Sequence, residues 1–161
     1  MTIKVGDKLP QATFRVMTSE GPAAKTTDDL FAGKKVVLFA VPGAFTPTCH
    51  KNHLPGFLAK AGEIKAKGID AIMVTSANDV FVLDAWANAT GAAGAIEFLA
   101  DGNADFAKEI GLTMDGSGFG MGTRSQRYSM VVDNGTITQL NIEEAPGKAE
   151  VSGAEHLLSQ L

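Results

Sequence analysis

The chain has 161 residues, 45% of them hydrophobic and 20% charged, with a formal net charge of −4 and a single cysteine. That apolar content suits one compact domain over residues 1–161 with a proper core. It offers no Lys/Arg run for nucleic acid or anionic lipid, no apolar stretch of roughly 18 residues to span a bilayer, and no cysteine pair for a disulfide.

The first residues, Met1 to Asp7, lack the apolar core of a signal peptide, which sets the expectation of a cytoplasmic, reducing setting. There the sequons at Asn88 and Asn134 carry no meaning. Residues 1–34 hold short extended pieces: Ala12 to Met17 alternates like a half-buried strand, and Thr27-Asp28-Asp29-Leu30 can cap one helical turn ending at Gly33. Val36 to Val41 is a continuous, β-branched-rich run and predicts a strand buried on both faces. Pro42 and Gly43 end it.

Beyond the turn, Lys51 to Lys67 places Leu54, Phe57, Leu58, Ala61, Ile64 and Ala66 near helical spacing, with a kink expected at Pro55. Ile69 to Thr75 reads as a second buried strand. Asn78 or Asp79 caps the next helix, with Phe81, Val82, Ala85 and Trp86 on one face. Gly91 to Gly94 turns into a short strand, Ile96 to Ala100, and Asp101 to Gly111 reads as a helix capped by Asn103 with Phe106 and Ile110 inward. Gly116 to Gly122 is a flexible glycine-rich loop that fits no dinucleotide fingerprint. Arg127 to Val132 and Ile137 to Ile142 form a hairpin around Asn134-Gly135, a strong type I′ signal. Gly153 to Leu161 closes the chain as an amphipathic helix. Strands alternating with helices imply parallel pairs and the hairpin an antiparallel one, so an α/β fold with a mixed central sheet flanked by helices is expected, with a β-rich N-terminal extension.

The chemistry concentrates at Cys49. Pro47 suits the approach to a helix, Thr46 and Thr48 are its candidate caps, and Cys49 falls in the first turn. The unpartnered N–H groups and positive dipole end there stabilise a thiolate. A lone cysteine is ordinarily a small buried hydrophobe, but a filler needs neither the strand–turn–helix setting nor a hydroxyl three residues earlier. A reactive thiol is the better reading.

The order of elements and the segment Pro42-Gly43-Ala44-Phe45-Thr46-Pro47-Thr48-Cys49 together resemble the peroxiredoxins, closest to their atypical type II, Prx5-like branch. The Pro-x-x-x-Thr-x-x-Cys motif is matched by Pro42, Thr46 and Cys49. The continuation His53 to Phe57 and the stretch Arg124 to Tyr128 also look typical of that branch. The resemblance implies a thioredoxin fold and a thiol-dependent peroxidase acting on hydrogen peroxide or small organic hydroperoxides, without haem, flavin or metal. It implies Cys49 as the nucleophile that becomes a sulfenic acid, Thr46 hydrogen-bonding thiolate and peroxide, and Pro42 shaping the pocket. Arg127 would be the activating guanidinium, with Arg124 the second choice for that role; Gly43, Phe45 and Arg124 would line the substrate side. It also implies a homodimer with Phe45 and Phe81 at or near the contact. With no other sulfur nucleophile in the chain, the implied reductant is external: glutaredoxin with glutathione, or thioredoxin.

Other readings use the same residues. A thioredoxin-like oxidoreductase needs Cys-x-x-Cys, and Thr46 stands where the first cysteine would be. A Cys–His hydrolase would pair Cys49 with His53, at i+4 on the same side of the helix. Cys49, His53 and His156 have no metal-ligand spacing. A peroxide-sensing relay, passing oxidation to a partner by mixed disulfide, would use the same thiolate.

Overall fold

The structure, a computed structural model, describes residues 2–145 and 147–161. In chain order it forms β1 (Thr13–Thr18), β2 (Gly21–Thr26), α1 (Thr27–Phe31), β3 (Lys35–Ala40), a π-turn (Cys49–His53) running into α2 (Leu54–Ala66), β4 (Ala71–Ser76) and α3 (Val80–Thr90). There follow β5 (Glu97–Ala100), α4 (Asp105–Glu109), β6 (Thr113–Asp115), β7 (Thr123–Ser125), β8 (Tyr128–Asp133), β9 (Thr136–Ile142) and α5 (Ala154–Ser159).

The apolar run predicted as a doubly buried strand is β3. Its side chains alternate with the period of two that a pleated strand imposes. Val37, Phe39 and Val41 enter one core, and Val36, Leu38 and Ala40 enter the other. β4 and then β5 continue from β3 in parallel, whereas β8 lies antiparallel on its other side and carries β9. The N-terminal hairpin β1/β2 joins antiparallel beyond β5, giving a seven-stranded mixed sheet in the order β2-β1-β5-β4-β3-β8-β9. Pro22, which cannot donate a ladder bond, sits in the edge strand β2.

Helices cover both faces. α2, α3 and α5 place Leu54, Phe57, Ile64, Leu83, Trp86 and Leu157 against the Phe39 side. α1 and α4 place Leu30, Phe31 and Phe106 against the Leu38 side. This is the thioredoxin-like α/β arrangement expected from the sequence. At Asn134 and Gly135 both φ angles are positive, 49° and 82°, as the type I′ turn between β8 and β9 requires.

Several local expectations need correction. Phe81 and Ala85 do not share a face with Trp86: Asp79, one of the two expected caps, accepts from Val82 N–H, Val80, Leu83, Trp86 and Ala87 turn inward, and Phe81 is left 64% exposed. Asn103 is not the cap of α4, because Asp101 reaches in from outside the helix to accept from Phe106 and Ala107 N–H, both at 3.0 Å. The Gly116–Gly122 segment is not merely a loop; β6 and β7 pair antiparallel around it and it contains a 3₁₀ turn at Ser117–Phe119. Pro55 does not kink a regular helix. A π-turn precedes it instead, with Leu54 N–H donating to Cys49 C=O, so the widened turn accommodates a residue that has no N–H to give.

Candidate active site

Cys49 sits where β3 delivers the chain, through the buried Pro42–Gly43 turn, into the helix. Helical backbone begins at residue 47, so Cys49 lies in the first turn, as expected. The two threonines, however, do not cap it with their hydroxyls. Thr46 Oγ1 donates to Gly43 C=O at 2.7 Å, and Thr48 Oγ1 donates to Gly147 C=O at 2.9 Å. Thr46 serves the helix through its backbone instead, its carbonyl accepting from His50 N–H at 2.8 Å.

The turn before the helix is tightly specified. Phe45 has a φ of 63°, an uncommon conformation for a residue with a bulky side chain. It is held on one side by Ala44 N–H donating to Asn78 Oδ1 at 2.9 Å, an oxygen that also accepts from Ser76 Oγ. A Cβ on Gly43 would lie 3.1 Å from Thr46 Cγ2 and 3.3 Å from both Arg124 Nη1 and Met121 Cε, so glycine permits this close approach.

Arg127 arrives from the other side of β3, on the residue just before β8. Both it and Cys49 are buried. Its Nη2 donates to Cys49 Sγ at 3.0 Å, and its Nη1 meets His53 Nδ1 at 2.9 Å. The opposite ring nitrogen, His53 Nε2, lies 2.9 Å from Ser152 C=O. A carbonyl can only accept and a guanidinium can only donate, so His53 is the neutral Nε2–H tautomer. Burial, then the adjacent Arg127 charge, hold its pKa down to about 3, with the Ser152 carbonyl pulling the other way. Phe39 and Phe57, stacked at 4.1 Å, flank the imidazole.

The predicted residues therefore separate into two groups. Cys49 and Arg127 are in direct contact, and Pro42, Gly43 and Thr46 form the turn beside them. Arg124 stays one step out: Nε donates to Met121 C=O at 2.8 Å and Nη1 to Pro42 C=O at 3.5 Å, bracing the β6/β7 hairpin against the turn. Phe45 points away, its ring stacking on His50 at 5.6 Å and approaching Trp86 at 6.5 Å. Trp86 Nε1 in turn donates to His50 Nδ1 at 3.0 Å. A Cys49–His53 dyad is not formed, because the Nδ1 lone pair is taken by Arg127. Among the described residues no group of three or more His, Cys, Asp or Glu side chains is placed to hold a metal ion.

The arrangement can do one thing well. A guanidinium N–H aimed at a sulfur at a helix start suits attack by that sulfur on an electrophile that develops negative charge on its leaving atom. Comparisons with known proteins give the family. The Redoxin family profile matches residues 4–158. Peroxiredoxin-2E-2, chloroplastic, of Oryza sativa is 48% identical over 99% of this chain and 73% of its own length, and Peroxiredoxin-2C of the same plant is 45% identical over 99% and 98%. Among solved structures, reduced Prx3 of Vibrio vulnificus in complex with hydrogen peroxide superposes with a TM-score of 0.94 at 53% identity, covering 99% of each chain.

Proposed function

The chain belongs to the Redoxin family as a type II, Prx5-like peroxiredoxin, a peroxidase enzyme, and we propose that Cys49 is its peroxidatic nucleophile. The observation that carries this reading is the 3.0 Å contact between Arg127 Nη2 and Cys49 Sγ at the start of the helix. The Cys49 thiolate attacks the terminal oxygen of a hydroperoxide, the O–O bond breaks, and the leaving oxygen departs as water or alcohol after taking up a proton. Sulfur is oxidised by two electrons to the sulfenic acid. Arg127 stabilises both the thiolate and the charge growing on the leaving oxygen. Thr46 has already donated its proton to Gly43, so its lone pairs are free to accept from the peroxide O–H and align it. Pro42 and Gly43 wall the site, and Arg124 braces that wall.

One external thiol condenses with the sulfenic acid, releasing water and leaving a mixed disulfide. A second thiol reduces that disulfide and restores Cys49. Glutathione with glutaredoxin, or thioredoxin, in a reducing cytoplasmic setting supplies this chemistry. A single cysteine in the chain supports the external route, and the hydrogen peroxide complex of the Vibrio vulnificus relative supports the peroxide as substrate.

The test is turnover of hydrogen peroxide with each thiol system. Cys49→Ser should abolish it with the fold intact. Arg127→Ala should slow peroxide attack by about a hundredfold and Thr46→Val by about tenfold, whereas Arg124→Ala should do less than Arg127→Ala. The reverse arginine ranking would overturn the assignment. Stoichiometric oxidation that no thiol system recycles would favour the sensing relay.

A further inference from the structure

The peroxide chemistry leaves one set of buried polar groups unexplained. Glu143 is only 8% exposed, and its Oε2 accepts from Glu150 N–H at 3.0 Å, Ser152 N–H at 2.9 Å and Ser152 Oγ at 2.5 Å. One carboxylate oxygen thus gathers the segment leading into α5 and fixes Ser152, itself fully buried. The carbonyl of that same Ser152 receives His53 Nε2–H. Glu143 is also tied to the arginine by backbone: its N–H donates to Arg127 C=O at 3.0 Å, one step beyond the Tyr128–Ile142 pair of β8 and β9.

The bonds therefore form one continuous chain, from the Glu143 carboxylate to Ser152, to His53, to Arg127, to Cys49 Sγ. Its direction matters. With the Ser152 carbonyl in place, the imidazole proton sits on Nε2 and Nδ1 presents a lone pair to Arg127. If that carbonyl moved, the ring could carry its proton on Nδ1, and two donors would then face each other where the guanidinium must lie. Burial leaves no water to repair the mismatch.

We propose that Glu143 and Ser152 are positioning residues of the peroxidase reaction, acting through the tautomer of His53 to hold Arg127 against Cys49. This rests on the assignment of Cys49 and Arg127 above. The helix start that carries the sulfur and the segment before α5 are thereby one electrostatic unit, although about a hundred residues of chain separate them.

The test is a double-mutant cycle on the rate of Cys49 oxidation by hydrogen peroxide, followed by quench and mass spectrometry. Glu143→Ala should slow oxidation by about tenfold, as expected for a reacting group displaced by a fraction of an ångström to 1 Å. Glu143→Gln, whose Oε1 still offers lone pairs to two of the three donors, should stay within about threefold of the parent. In an Arg127→Ala background Glu143→Ala should add nothing further, since residues acting through one another are non-additive. The imidazole ¹⁵N spectrum should change from one Nε2–H tautomer to a mixture in Glu143→Ala. Should that variant fail to fold, His53→Leu and His53→Gln carry the cycle, with Leu slow, Gln rescued, and no added effect without Arg127. Unchanged oxidation in both Glu143→Ala and His53→Leu would overturn the proposal, as would an equal loss with and without Arg127. If Arg127→Ala alone oxidises at the parental rate, the arginine assignment fails instead, and the proposal falls with its premise.

Discussion

At the scale of single residues, the site depends on a histidine that stays neutral. His53 is buried, and its pKa of about 3 lies below the ordinary 6.5. A group with a depressed folded pKa of this kind takes up its proton in the unfolded chain first. Stability is therefore complete above pH 6.5 and falls as the pH drops from there toward 3. The loss due to His53 should reach about 3 kcal/mol between pH 7 and pH 4. Denaturant unfolding of the parent and of His53→Gln over that range checks it: the variant should show a slope shallower by that amount, and parallel slopes would refute the assignment. That Cys49 and Arg127 would meet was legible only through the family resemblance of the Pro42–Cys49 segment and of the stretch Arg124 to Tyr128. Glu143 and Ser152 were not. Nothing around a glutamate near the end of β9 signals that three donors from a later loop will converge on it, since that depends on where α5 docks.

Among the elements, the structure departs from the sequence pattern mostly where a polar side chain crosses between segments. The helical periodicity of residues 101–111 was readable, but its cap was not, because Asp101 reaches Phe106 and Ala107 N–H across an Ala104 in the left-handed region. The Asp79 cap of α3 was readable, but the grouping of Phe81, Val82 and Ala85 with Trp86 was not borne out, because Val80, Leu83 and Ala87 share the buried face with Trp86. These caps carry measurable stability. Asp101→Leu leaves two buried N–H groups without acceptors and should cost about 2–4 kcal/mol in chemical denaturation, while Asp101→Asn, which keeps one acceptor oxygen, should cost about half as much. Equal losses would mean that shape rather than hydrogen bonding sets the penalty. The π-turn belongs here too. It places Cys49 and His53 on one irregular turn, so that a single guanidinium reaches both.

For the whole molecule, the mixed sheet decides what meets at the site. β3 is flanked by parallel β4 and antiparallel β8, so the turn leaving β3 and the residue entering β8 lie side by side, and Cys49 meets Arg127 although 78 residues apart. The mix of parallel and antiparallel pairing was legible from the alternation of elements, but the order of the strands was not. The outer surface follows from the same geometry. The exposed Phe45 turn is bonded to Asn78 just before α3, and α3 carries the exposed Phe81. We propose that exposed aromatic side chains at these two places belong to the homodimer contact that the family resemblance implies. Sedimentation at micromolar concentration should give twice the chain mass for the parent and the chain mass for Phe81→Glu; a monomeric parent would remove the dimer from the account.

The central claim is that Cys49 is the nucleophile that peroxide oxidises. Intact mass after one equivalent of hydrogen peroxide, with and without dimedone, tests it most directly. A rapid single dimedone adduct at Cys49, slowed in Arg127→Ala, is the predicted result. A folded, reduced protein that gains no adduct after prolonged exposure would contradict the account and leave Cys49 a buried apolar side chain.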